Sequence, residues 1–417
     1  MSTPPLVAIL SFTRIHMDAR VLRQVRYLSG NYQIAVVGFG QLGSGTSNSV
    51  SMLPMPLPQG TDRGRKARTL LLLPLGRVVG GPAYEAWYWR RREHKQALDL
   101  LLKSGASFIH ANDWDALPAA VRAAETIGAQ VVFDAHEYSP LEREEQWRWR
   151  LLYKPMIHFF LVRYASRCAA SITVGDAIAA RYGQEYGFHP MVVRNIPESV
   201  AAPACGDDRD RPQGIRPTDP SQIRLVHHGN AMRNRHLELL IETVAKTDPR
   251  YRLHLMLIES SPGYLVELQT LAQSLAPGRV FFHQPVPPKE VVGRLAEFDM
   301  GIYLLPFTNF NNASALPNKF FDFVAAGLAA CIGPSPEMAK ITRQYGLGVV
   351  AESFDPAEAA AILNGLSVEE IDRMKQHAVA ARSALNAETE MQKLLQLYAG
   401  LLAGKQREDR PSSRGRQ

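Results

Sequence analysis

Short apolar runs alternate with amphipathic stretches along most of this chain. Residues 6–11 (LVAILS) and 33–38 (QIAVVG) are apolar runs of strand length, and HMDARVLRQVRYLSG between them carries apolar side chains at helical spacing. Strands covered by helices on both faces show no in-out alternation, so these runs predict a parallel sheet opened by a β-α-β unit. The pattern continues through a strand at 107–113, a helix at 115–127, a strand at 131–137, a strand and helix over 171–183, and a last strand and turn at 191–198. It restarts at 223–229 and runs through a helix at 236–246 and a strand at 251–258 to a strand at 300–307. The next stretch, LPNKFFDFVAAGLAACI at 316–332, predicts a helix opened after a proline, closed at Gly327 and followed by a strand. Ser367, with Glu370 three residues on, predicts a capped helix, and residues 386–403 predict another.

Residues 199–222 have the proline and charge content of a linker, and residues 41–68, rich in Gly, Ser, Pro and charge, are expected as loop. The division that follows is a Rossmann-like N-terminal domain at 1–198, a linker at 199–222, a second Rossmann-like domain at 223–385, a helix at 386–403 and a disordered tail at 404–417. A length of 417 residues suits two domains of about 200 residues each.

Composition narrows the setting. The N-terminus, MSTPPLVAILSF, starts directly on a strand-like run, and no segment reaches the roughly 18 uncharged apolar residues of a spanning helix, so a cytoplasmic location is expected. Cys168, Cys205 and Cys331 have neither disulfide-framework nor metal-ligand spacing, which predicts a reducing compartment and no structural metal. The formal charge of +7 is uneven, with basic residues gathered at 62–69, at 90–95 and from Lys405. No base-reading element accompanies them, so anionic lipid or an acidic substrate is expected in place of nucleic acid. Two segments, YEAWYWRRREHKQALDLLLKSG and QWRWRLLYKPMIHFFLVRYASR, set aromatics beside arginines. Core packing accounts for them, and so does an interfacial helix against an anionic membrane.

The first turn, FTRIHMDAR, lacks the glycine fingerprint of a dinucleotide site, which argues against nicotinamide or flavin. His110, Asp113, Asp134, His136, Glu137 and Asp176 fall at or just beyond predicted strand ends, where open α/β sheets bind ligands. In VFDAHEYS, His136 stands between Asp134 and Glu137, suited to bind a sugar hydroxyl or take a proton. In VHHGNAMRNRHLE, Gly229 follows a strand, and Arg233 and Arg235 precede a helix; guanidinium donors match pyrophosphate oxygens. In the 316–332 stretch, Asn318 and Lys319 open the helix and Asp322 lies one turn in. An acid there can accept from two ribose hydroxyls, while the lysine and the helix N–H groups hold a phosphate.

Taken together, LPNKFFDFVAAGLAACIGPSPEMAKITRQYGLGVV, the HHGN to NRHLE loop, DAHE, and SITVGDAIAARYG with VVRNIPE resemble a retaining glycosyltransferase of family 4 (glycosyl transferases group 1). The resemblance runs over nearly the full length. It implies an α/β GT-B fold, two Rossmann-like domains facing across a cleft, with the acceptor on the first and a nucleotide-diphosphate-sugar donor on the second. It implies His136 near the transferred sugar, Arg235 and Lys319 on the departing diphosphate, and Asp322 on the ribose. Gly229, Arg233, Ser314 and Asn318 complete the expected donor site, with no metal and no other cofactor. The implied partners are the nucleotide sugar, a glycan or lipid-linked acceptor, and an anionic membrane met peripherally, in surface polysaccharide or glycolipid synthesis. The chain departs from the family pattern at Ser314 and Asp322, where glutamates are usual, and at Asn230, where an arginine is. A catalytically inactive scaffold of the same fold, or a nucleotide-sugar epimerase, shares these features.

Overall fold

The computed structural model describes residues 4–42, 47–57, 63–198 and 216–408. The chain forms two compact units, one of Met1–Arg194, Asn309–Asn311 and Met391–Gln417, the other of Asn195–Thr308 and Asn312–Glu390.

The first unit contains strands β1 (Leu6–Arg14), β2 (Gln33–Phe39), β3 (Val50–Met55), β4 (Phe108–Asn112), β5 (Gln130–Asp134), β6 (Ala170–Thr173) and β7 (Met191–Val192). They form one parallel sheet in the order β3-β2-β1-β4-β5-β6-β7. Its helices are α1 (Ala19–Leu28), α2 (Arg63–Val79), α3 (Gly81–Trp89), α4 (Arg92–Ser104), α5 (Leu117–Ile127), α6 (Lys154–Tyr164) and α7 (Asp176–Tyr186). The second unit contains β8 (Ile223–Ala231), β9 (Tyr251–Glu259), β10 (Val280–His283), β11 (Met300–Tyr303), β12 (Ala329–Ile332) and β13 (Gly348–Val350), parallel in the order β10-β9-β8-β11-β12-β13. Its helices are α8 (Glu238–Lys246), α9 (Tyr264–Leu275), α10 (Val291–Leu295), the single turn α11 (Phe310–Ala313) at the unit boundary, α12 (Asn318–Ala326), α13 (Pro336–Tyr345), α14 (Pro356–Asn364) and α15 (Val368–Ala381). The last helix, α16, spans Ala387–Glu408.

Both sheets reverse their order at the same point, between β1 and β4 in one and between β8 and β11 in the other. The carboxyl ends of the strands at such a reversal are where open α/β sheets hold ligands. Each sheet is buried on both faces, which is why its central strands read as unbroken apolar runs: Val7 to Leu10 in β1 are fully buried, as are Val36 and Val37 in β2.

The expectation of loop over 41–68 is corrected by β3 and by α2, which starts at Arg63. β3 is an edge strand, so its side chains are only partly covered and its Pro54 is tolerated without a second ladder partner. Pro74 inside α2 hides the helix in the sequence. The aromatic-arginine segments supply core residues: Trp87 is 7% exposed, Tyr88 fully buried, and Trp149, Met156 and Phe160 join the same cluster. Apolar surface lies on α2, whose Leu70, Leu71, Leu75, Val78 and Val79 are exposed, and at Trp147, Leu151 and Val162 of the second aromatic-arginine segment. Ser367 and Glu370 form the reciprocal capping box that starts α15.

Met391, Leu394 and Tyr398 of α16 pack in the first unit's core, and Lys405 donates to the Gly128 carbonyl at 2.8 Å. Most of the 199–222 segment, with Cys205, lies outside the described residues, as do 409–417. From Arg216 onward that segment is tied to the second unit, with the Thr218 hydroxyl donating to Asp372 at 2.6 Å.

Candidate functional site

The second unit builds a cationic site at the ends of β8 and β11. Gly301 in β11 has no side chain because the Phe323 ring occupies that space; a Cβ there would stand 2.3 Å from the ring. The close approach seats α12 on β11. Phe320, Phe321, Phe323 and Val324 point into the core, and Lys319 and Asp322 are left on the opposite side, only partly covered. Pro317, in extended conformation, starts the helix, and no side chain caps its first N–H groups. Such a free N-terminus favours an anion.

Gly229 closes the gap from the β8 side. Its φ of +116° is strained for other residues, and a Cβ there would lie 3.1 Å from Lys319 Nζ. Beside it, His227 Nδ1 lies 2.8 Å from the Ile302 carbonyl and Nε2 lies 3.3 Å from Lys319 Nζ. The lysine amine also stands 5.3 Å from the centre of the Tyr303 ring. His228 Nε2 is 3.4 Å from Asp322 Oδ2.

Burial and then the nearby Arg235 push Lys319 down to about 7. Burial raises Asp322 to about 7, with Lys319 opposing the rise. His227 is held well below its ordinary range by burial and Lys319, and His228 is lowered to about 3 for the same two reasons. The site therefore sets two basic groups, Arg235 and the desolvated Lys319, beside the largely buried carboxyl of Asp322. That is a preorganised place for a bound anion with hydroxyls next to it.

Of the residues expected from sequence, Gly229, Arg235, Lys319 and Asp322 come together here, and His227, His228 and Tyr303 join them. Arg233 does not: it is exposed, pairs with Glu267 on α9 and lies over the Tyr264 ring at 5.2 Å. Ser314 is buried at 3% exposure, Asn318 is the exposed first residue of α12, and Asn230 is exposed. No spacing signal singled out Tyr303, which reads in the sequence as one more apolar strand residue.

The first unit holds a pocket of about 540 Å³ at the ends of β1, β4 and β5. His136 and Glu137 line it with Asp113, Asp115 and Glu142, and Trp114, Trp149 and Tyr153 supply aromatic surface. Asp113, the residue after β4, has a left-handed φ of +65° and is held by Arg20 at 2.7 Å and by its own N–H donating to the Asp134 carbonyl. Burial and then Asp113 push Asp115 up to about 7; burial, Glu142 and Asp113 push Glu137 up to about 7. His136 is lowered by burial and by Arg20, with the surrounding acids opposing. Asp134 lies beneath the pocket, accepting from Gln24 at 2.8 Å with His110 Nε2 at 3.6 Å. Burial alone would raise its pKa, but Arg20 and His110 hold it below the usual value. Asp176 begins α7.

Residues 57–201 match the model of the family described as Glycosyltransferase Family 4. The fold is similar to that of HepE from Anabaena in a complex with UDP, at 13% identity and a TM-score of 0.64 over 95% of this chain and 100% of that one. It is also similar to sucrose-phosphate synthase from Thermosynechococcus elongatus, at 12% identity and 0.67 over 96% and 100%. A third likeness is to trehalose 6-phosphate synthase from Burkholderia multivorans, at 11% identity and 0.61 over the full length of both. No curated protein matches the sequence. The fold is GT-B, and residues 57–201, most of them in the first unit, carry the match to the glycosyltransferase family model.

Proposed function

We propose that this chain is a glycosyltransferase that draws its sugar from a nucleoside-diphosphate sugar, a UDP-sugar in the first instance, and passes it with retained configuration to a hydroxyl of a glycan or lipid-linked acceptor, in surface polysaccharide or glycolipid synthesis. The observation that carries this reading is the convergence of Gly229, Arg235, Lys319 and Asp322 around the open start of α12. Asp322 accepts from the ribose hydroxyls. Arg235, Lys319 and the helix N–H groups balance the charge on the departing diphosphate. The acceptor hydroxyl attacks the face from which the diphosphate leaves, so no covalent nucleophile is needed. Acceptor binding falls to the first unit's pocket, with His136 near the transferred sugar. HepE, described in complex with UDP, UDP-glucose, and UDP with glucose, supports the choice of donor. The test is calorimetry with a panel of nucleoside diphosphates and nucleotide sugars on the wild type and on Asp322→Ala. Micromolar binding of one base that is lost in the variant supports the reading; no binding by any member overturns it.

The exposed apolar row on α2 favours a peripheral membrane contact for the first unit. Trp147 and Leu151, also exposed, stand beside the exposed Arg148 and Arg150. Among the described residues no helix is long and apolar enough to cross a membrane. Sedimentation with anionic and with neutral vesicles at low salt tests this contact: retention by the anionic ones, weakened in Leu71→Asp, is expected. Equal recovery in both supernatants sinks it.

A further inference from the structure

The geometry points to His227 as a positioning residue that holds Lys319 as a proton-accepting amine, so that the pair takes up a proton when a nucleoside diphosphate enters. This rests on the donor-site reading above and concerns the state of that site before the donor arrives.

The tautomer of His227 follows from its partners. A backbone carbonyl only accepts, so at 2.8 Å from Ile302 the Nδ1 atom must be the donor. A neutral imidazole with its hydrogen on Nδ1 has a lone pair on Nε2, and Lys319 Nζ lies 3.3 Å from that lone pair. The amine therefore donates to His227 and is fixed under Gly229, where any other residue would crowd it. Among the described residues no carboxylate forms an ion pair with Lys319, so the amine is tethered by a neutral acceptor and is left to respond to a ligand's charge.

The groups facing Lys319 set the direction of the proton. Arg235, from the turn after β8, repels a second positive charge, and Asp322, one turn along α12, attracts it. His227 and His228 from β8 are both lowered and stay neutral near pH 7, and Tyr303 from β11 presents its ring face. Burial and Arg235 outweigh Asp322, so the empty site holds a substantial share of neutral lysine around pH 7. A diphosphate brings negative charge against the same amine and reverses the balance. The proton is taken from solvent on binding and returned when the product diphosphate leaves.

The experiment is calorimetry at about pH 8 in buffers of different ionisation enthalpy, with whichever of UDP, ADP, GDP or TDP binds, and its nucleoside as control. At that pH the terminal phosphate and Asp322 are already ionised, so uptake reports on Lys319. The expected result is uptake approaching one proton for the diphosphate, none for the nucleoside, and none in Lys319→Met. His227→Phe is expected to weaken the diphosphate roughly tenfold, the size of one charge-assisted hydrogen bond, and to leave the nucleoside unchanged. His227→Gln, which restores an acceptor, should recover much of the loss. Diphosphate binding with no proton uptake, or equal losses for diphosphate and nucleoside in His227→Phe, overturns the inference and leaves the donor reading standing. Absence of binding by every diphosphate removes both.

Discussion

The Tyr398 hydroxyl lies 2.8 Å from His110 Nδ1, a contact across 288 residues of sequence. It joins the last helix to the middle of the first sheet, and Tyr398 is fully buried there against Phe108 and Tyr32. His110 Nε2 in turn faces Asp134, which also holds Arg20. The last helix is thus part of the platform beneath the first unit's pocket.

Tyr398→Phe keeps the ring and removes the hydroxyl, so a loss of about 1 kcal/mol in unfolding free energy is expected. Tyr398→Ala opens a cavity and should cost about 3–5 kcal/mol. Denaturant unfolding followed by fluorescence checks both values.

Arg235 and Arg233 are two residues apart and should behave oppositely. Arg235 acts on Lys319 and His227 at the site, whereas Arg233 is paired with Glu267 on the outside. Arg235→Ala is expected to reduce nucleoside-diphosphate affinity by at least about tenfold, and Arg233→Ala by less than about twofold. Titration of the two variants side by side decides the assignment.

The pH dependence of donor affinity follows from two opposed shifts. Lys319, lowered to about 7, carries its charge below that value, while Asp322, raised to about 7, carries its charge above it. A diphosphate needs the cation and a ribose is held best by the anion. Affinity should peak near neutrality, falling on the acid side as Asp322 is protonated and on the alkaline side as Lys319 loses its proton, by up to about tenfold per pH unit. Affinities measured across this range test it. In Lys319→Met the alkaline limb should disappear and the acid limb remain.

Gly301 is the hinge of the packing that places α12. A Cβ at this position meets the Phe323 ring at 2.3 Å, so Gly301→Ala should cost about 1–3 kcal/mol. Because Lys319 and Asp322 ride on the same helix, diphosphate affinity should fall as well. Gly293, where an added Cβ meets nothing, is the control: Gly293→Ala should leave affinity unchanged.

Local sequence was sufficient for the two-sheet α/β plan, the placement of Asp322 and Lys319 on one helix, and the capping box at Ser367, because continuous apolar runs, helical spacing and cap residues act over a few positions. The edge strand β3 escaped it, since an edge needs no full apolar run, and α2 was hidden by its internal proline. Tertiary structure alone decided that the Trp87 and Tyr88 aromatics are core and that Leu70 and Val78 are surface, a distinction of which face meets the sheet. It also decided that Arg235, not Arg233, joins Lys319, and that His227 supplies the acceptor behind it. Such pairings depend on strands and helices brought together across some ninety residues, as for His227 and Lys319. The distance and desolvation that set their chemistry exist only once the sheet has closed around them.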